Sequence, residues 1–181
     1  MADSNITKKA LSSALKELME TVPFSKISVS DICNKCDMNR KSFYYHFKDK
    51  YDLINWTFNS EFIDEIGNHP DKSEWDIICD ICKYFYDNKD FYRKALQIEG
   101  QNSFYRHFQN VLNTAVEQYM KKMFFECKNS EFYVTFYTDA FISSIVRWIT
   151  DKDCMPPEEY TMCLKSCILD FANVLVNNVK Q

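Results

Sequence analysis

Two glycines and four prolines in a chain of 181 residues leave few positions for hairpin turns. No stretch alternates apolar and polar residues cleanly with period two, whereas apolar residues recur at helical spacing along most of the chain. The expected fold is therefore all-α. With 46% hydrophobic and 16% aromatic residues, the chain can bury one well-cored unit or two small ones.

The most informative stretch runs from Ile27 to Phe47, ISVSDICNKCDMNRKSFYYHF. It reads as two short helices joined by a tight turn. The first is expected to start near Ser30, a residue type whose hydroxyl can accept a bond from an unpaired first-turn amide. The turn falls at Asp37-Met38-Asn39, and Asn39 is the expected cap of the second helix. Phe43 and Phe47, at i and i+4, are that helix's only clear core anchors. Arg40, Lys41, Ser42, Tyr44, Tyr45 and His46 cover the rest of it. Packing explains so many donors and flat rings on one short helix poorly. A partner rich in phosphates and base edges explains them well, because the second helix of a helix-turn-helix lies in the major groove with its N-terminal residues at the bases.

The run from Ile6 to Phe58 resembles the DNA-binding head of TetR/AcrR transcriptional regulators. The ISVSDIC entry, the DMN turn, the RKSFYYHFKDKYDL helix and the start of the next helix carry the likeness. The chain departs from the family pattern at Asp37, where a glycine usually sits. Asp tolerates a left-handed backbone better than most residues, so the turn is expected to survive. On this resemblance the DNA-contact candidates are Ser28, Arg40, Lys41, Ser42, Tyr44, Tyr45, His46 and Lys50. Arg40 and Lys41 are the expected base readers. Tyr44 offers a ring to a thymine methyl and a hydroxyl to phosphate. The others are expected to set register on phosphates.

Charge supports the division of labour that this implies. Residues 1–55 hold nine Lys/Arg against seven Asp/Glu, and the remainder holds thirteen against nineteen, although the whole chain is at −4. Local placement of basic residues, not the total, decides nucleic-acid binding. The start, MADSNITKKALSS, has no apolar core of a signal peptide. The apolar runs fall below the ~18 residues of a membrane span. A soluble, cytoplasmic protein with reduced thiols and no membrane contact is expected.

The expected domains are a head at 1–50, a connecting helix at 50–67 and a regulatory and dimerisation body at 68–181, with a linker at His69-Pro70-Asp71. In the body, helices are expected through Trp75–Phe85, on either side of Gly100, and over Phe132–Ile149 and Met162–Val179. The last two are apolar on nearly every face, and such helices must be covered on both sides. A twofold four-helix bundle supplies that cover, and TetR-type resemblance implies the same homodimer. Phe141, Ile145, Leu164, Ile168 and Leu175 are the interface candidates. The FYRKALQIEGQNSFYRHFQ run and RWITDKDCMPPEE resemble the TetR subgroup that includes activators of dihydroxyacetone kinase genes.

That resemblance implies control of a double-stranded DNA operator by a small-molecule effector or a co-regulator protein. The effector pocket is expected between Trp75, Cys82, Phe85, Phe108, Leu112, Phe141 and Arg147. Arg147 lies in an otherwise apolar helix. A buried guanidinium needs an anionic partner, for which Asp151 at i+4 is the nearest choice and an acidic effector the sharper one. Two C-x-x-C pairs, Cys33/Cys36 and Cys79/Cys82, open an alternative, a small helical metal- or thiol-redox-responsive protein. They fall on helical stripes without knuckle-forming glycines, so small buried side chains are the favoured reading. The sequence has no G-x-S-x-G, phosphate-binding loop, H-E-x-x-H or dinucleotide fingerprint, so neither an enzyme nor a cofactor is expected.

Overall fold

The computed structural model describes residues 2–66, 73–98, 104–123 and 129–167, and the described residues are mainly helical, with no strand among them. The helices are α1 (Ala2–Thr21), α2 (Val29–Lys35), α3 (Arg40–His46), α4 (Lys50–Ile66), α5 (Glu74–Asp87), α6 (Lys89–Leu96), α7 (Phe104–Met123) and α8 (Ser130–Thr150). A final helix, α9, is described over 157–167.

The head is α1 to α3 and the first part of α4. Leu11, Ala14 and Leu15 of α1 meet Ile32 and Cys33 of α2, Phe43 of α3, and Leu53 and Ile54 of α4 in a buried cluster. Helix α1 begins at Ala2. Pro23 ends the helical run, and Phe24 opens a single 3-10 turn, Phe24–Lys26, with its ring buried. Helix α2 starts two residues before the expected position. Ser28, not Ser30, is its cap. The Ser28 hydroxyl oxygen accepts from the Asp31 amide at 3.2 Å, and the Asp31 carboxylate accepts from the Ser28 amide at 2.8 Å. This reciprocal box satisfies two amides at once. The hydrogen bonds from Ser28 hold the Asp31 carboxyl below its ordinary pKa.

Residue Asp37 has φ of 53°, as the expected left-handed turn requires. Asn39 caps α3 by accepting from the Ser42 amide at 2.9 Å. Asp49 caps α4, its carboxylate accepting from the amides of Tyr51 and Asp52, each at 2.9 Å.

Helix α4 runs from head to body. Past Thr57, whose hydroxyl donates to Ser12 of α1 at 2.9 Å, its Phe58 and Phe62 enter a cluster of rings. Phe85 of α5, Tyr92 of α6, and Phe104 and Phe108 of α7 complete it, all fully buried. Phe58 lies 5.4 Å from Phe108 and 5.6 Å from Phe104 between centroids, and Phe85 lies 5.2 Å from Phe108. Such pairs add about 0.5–1.5 kcal/mol beyond area burial. The buried residues form one continuous core from Leu11 to Tyr160.

In the body, Ser73 caps α5 through a second reciprocal box with Asp76. Asn88 alone separates α5 from α6, which begins at Lys89. Helix α9 begins at 157, five residues before the expected Met162. Pro157 occupies its first turn, where a missing N–H costs nothing. The α8–α9 corner is held by Trp148, whose indole stacks on Tyr160 at 4.1 Å and donates to the Met155 carbonyl at 2.9 Å. The expected linker at 69–71 and the part of the last helix beyond 167 lie outside the described residues.

Candidate nucleic-acid interface

The surface built by α3 follows from two buried rings. Phe43 is fully enclosed and Phe47 nearly so, which fixes how α3 is rolled on the head. Arg40, Lys41, Tyr44 and Tyr45 are turned outward by the helical period. Arg40 and Lys41 are exposed, Tyr44 is 51% exposed and Tyr45 is 82% exposed. Two tyrosines this open on a small helical head are unusual for side chains of their size. The Arg40 guanidinium donates to the Tyr44 hydroxyl at 3.4 Å, and that bond lifts the Arg40 pKa above its ordinary value. His46 is half-buried between Tyr45, edge-on at 4.9 Å, and Phe47 at 6.3 Å.

The remaining DNA-contact candidates divide. Ser42 is half-buried and its amide is taken by Asn39. The Ser28 hydroxyl donates to Asp31 at 2.7 Å, so it serves the helix cap. Lys50 is the clearest change of role. Its ammonium donates to the carbonyls of Phe24 and Ile27 at 2.7 Å and of Ser25 at 3.3 Å, and lies 4.6 Å from the Phe24 ring centroid. An ammonium has three protons, and this contact engages all of them. Burial also lowers the Lys50 pKa. The residue fastens α4 to the 3-10 turn. Nothing in the sequence signals this, because the acceptors are backbone carbonyls more than twenty residues away.

A buried-ring anchor, an Asn-capped seven-residue helix and a cationic, aromatic outer face set beside a second short helix make a helix-turn-helix reading surface. Comparison with known proteins agrees. Residues 11–55 match the bacterial regulatory proteins of the tetR family, and residues 73–170 match a transcriptional regulator C-terminal region. The chain belongs to the TetR family. It is a DNA-binding transcriptional regulator and not an enzyme. It is similar to the HTH-type dhaKLM operon transcriptional activator DhaS of Lactococcus lactis subsp. lactis (strain IL1403), with 28% identity over 151 residues and 81% of each chain covered. In fold it is similar to a dihydroxyacetone kinase operon activator DhaS, with a TM-score of 0.70 and 21% identity over 93% of this chain and 97% of that one. A TetR transcriptional regulator from Streptococcus agalactiae 2603V matches with a TM-score of 0.67 and 22% identity over 90% and 95%. NalD, the secondary repressor of the MexAB-OprM multidrug efflux pump in Pseudomonas aeruginosa, matches with a TM-score of 0.67 and 16% identity over 93% and 96%.

The expected pocket residues of this TetR-family chain lie at different depths. Cys82, Phe85, Phe108 and Leu112 are fully buried in the core, Phe141 is partly buried against it, and Trp75 is half-buried. At the level of Phe85 and Phe108 the Phe58 ring packs against both. A cleft of about 540 Å³ lies between head and body, bordered by Met19 to Ser25, Tyr51, Lys94, Gln97 and Ile98. Arg147 is exposed near the end of α8, so the premise of a buried guanidinium fails. No ion pair with Asp151 occurs among the described residues; Asp151 instead gives its amide to the Arg147 carbonyl at 3.1 Å. The arginine that does tie the α8 end is Arg93 of α6, which donates to the carbonyls of Ile149 at 2.7 Å and of Asp151.

Polar links also join head and body among the described residues, through side chains outside the expected site set. Lys94 of α6 donates to the Met19 and Glu20 carbonyls at the end of α1, at 2.8 and 2.7 Å. Lys16 of α1 pairs with Glu61 of α4 at 3.0 Å, and Glu61 also accepts from Tyr84 of α5 at 3.2 Å. His107 of α7 bonds Asn59 of α4 at 2.7 Å, and burial lowers the His107 pKa. Of the cysteine pairs, Cys33 and Cys82 are buried and burial raises both thiols, Cys82 to about 12, so they pack as protonated small hydrophobes.

The interface candidates are also redistributed. Ile145 is fully buried within the single chain, on the α8 face that carries Val134, Thr138, Ile142 and Ile149. Phe141 and Leu164 pack partly against the same core. Ile168 and Leu175 lie outside the described residues. The opposite side of α8 leaves Phe132 66% and Phe136 56% exposed, with Met162 of α9 open as well.

Proposed function

We propose that this regulator binds a palindromic operator as a homodimer, with α3 of each copy in a major groove. The exposed Arg40–Lys41–Tyr44–Tyr45 face on a helix pinned by Phe43 and Phe47 is the observation that carries this reading. Arg40 and Lys41 face the bases, and Ser42, Tyr45 and His46 set register on phosphate. The head at 1–50 and the body at 68–181 act through the connecting helix. The open rings of Phe132 and Phe136 are better interface candidates than Ile145, because only exposed apolar surface can be gained from water on association. Similarity to the dhaKLM operon transcriptional activator supports activation, rather than repression, of the controlled operon. The filled ring cluster supports control by a partner protein over control by a small molecule seated at that level. No helix among the described residues is long and apolar enough to cross a membrane, and the reading needs none.

The test is selection of duplex DNA from a random library by the full-length protein, followed by footprinting. A pair of half-sites about one helical turn apart, or a multiple of that, is the expected result. A single unpaired half-site, or no enrichment over random duplex, would overturn it.

A further inference from the structure

Among the side chains expected to meet DNA, Arg40 and Tyr44 are in contact with each other before any DNA is present. The chain of support starts in the core. Phe43 is fully buried, and the Tyr44 ring stands edge-on to it at 5.5 Å and 82°. The Tyr44 hydroxyl then receives the Arg40 guanidinium at 3.4 Å, and the guanidinium carbon lies 5.7 Å from the Tyr44 ring centroid. Arg40 is the first residue of α3 and Tyr44 sits one turn later, so both project from the same side.

Chemistry gives this pair a direction. A guanidinium has donors only, so the tyrosine oxygen must accept, and its own O–H hydrogen is left for an outside acceptor. The Arg40 guanidinium, held by the Tyr44 oxygen, therefore presents its remaining N–H donors together. In the major groove only guanine offers two neighbouring acceptors, N7 and O6; adenine pairs an acceptor with a donor. An arginine held by a neighbour also loses less side-chain freedom when it binds.

We propose that Tyr44 is a positioning residue for Arg40, and that the two together specify a guanine at one position of the half-site. This assigns the Tyr44 hydroxyl to Arg40, in place of a separate phosphate or thymine contact. The assignment rests on the placement of α3 in the major groove, and the test separates the two.

The full-length protein is measured on the selected duplex, on each single base-pair variant of it, on a version carrying 7-deazaguanine at the position that Arg40→Ala identifies, and on random duplex. Arg40→Ala should lose ~10-fold or more of its discrimination at one G·C pair. Tyr44→Phe keeps the ring and should lose ~3- to 10-fold at that same pair. It should weaken random duplex less than the selected duplex and leave salt dependence and melting temperature unchanged. The double variant should be no worse than Arg40→Ala, and wild type should fall toward it on 7-deazaguanine. Equal weakening of selected and random duplex by Tyr44→Phe would make the hydroxyl a phosphate contact. A loss at a different base pair, an additive double variant, or no loss at all would also overturn the proposal. Full discrimination at every pair in Arg40→Ala would instead remove Arg40 as a base reader, and the positioning role with it.

Discussion

Helices α3 and α8 both leave large aromatic rings in solvent, and the two sets differ in what surrounds them. On α3 the open rings are tyrosines, carried with Arg40 and Lys41 on a seven-residue helix. On α8 they are Phe132 and Phe136, stacked 6.2 Å apart, with Tyr133 beside them. A tyrosine face laced with cations gains from a partner that offers acceptors and negative charge. A bare phenylalanine face gains only from a partner that removes it from water. The contrast fits the two jobs proposed for the chain, reading a polyanion at one end and self-association at the other.

The sharpest way to break that contrast is to place a charge on each side of α8. Ile145→Asp would put an unpaired carboxylate into the core of the single chain and should destabilise it by about 4 kcal/mol or more, giving unfolded chain by circular dichroism. Phe136→Asp should leave the fold intact and weaken dimerisation at least ~100-fold, measured by sedimentation equilibrium. Dimerisation as tight as wild type in Phe136→Asp would assign the phenylalanine face to another partner.

Lys50 sharpens the other end. Lys50→Met removes three bonds to the 3-10 turn and should lower stability by about 1–3 kcal/mol in urea melts. The salt slope of DNA binding should not change, because that ammonium is turned inward. Lys41→Ala should do the reverse, keeping stability and reducing the slope by about one. A flattened slope in Lys50→Met would return Lys50 to the phosphate-contact set.

A smaller effect belongs to the joint between the two faces. Burial favours neutral His107, so its folded pKa is below the ordinary 6.5. The unfolded chain then binds more protons as pH falls, and the sign follows. This contribution to stability is complete above pH 6.5 and is lost as pH drops below it. His107→Gln should flatten that part of the stability profile and leave DNA discrimination unchanged. A profile with the same slope in the variant would place the titration elsewhere.

The smallest effect is at the turn before α3. Asp37 sits at φ of 53°, so Asp37→Gly should raise stability by up to about 1 kcal/mol. A loss of stability would mean that the Asp37 side chain supports the turn.

Much of this was legible in the residues. The cap at Asn39, the buried pair Phe43 and Phe47, and the left-handed turn at Asp37 all depend on neighbours within one or two helical turns. Local spacing carries that information. Ser28 was misplaced by two residues because Ser28 and Ser30 are both good caps. The choice was decided by Asp31, which reaches back three residues to Ser28 and so completes the box.

By itself the sequence determined an all-helical chain, a reading helix with its outer side chains, and membership of the TetR family. Each of these is written in short-range periodicity and local chemistry. Only the tertiary structure decided that the rings of Phe58, Phe85, Tyr92, Phe104 and Phe108 close on one another where a pocket was expected. It also decided that Lys50 and Lys94 serve backbone carbonyls, and which side of α8 is buried. The physical reason is the same in each case. A periodic stripe says that a side chain turns inward, but ring-on-ring packing and long-range bonds to carbonyls depend on which helices meet and at what roll.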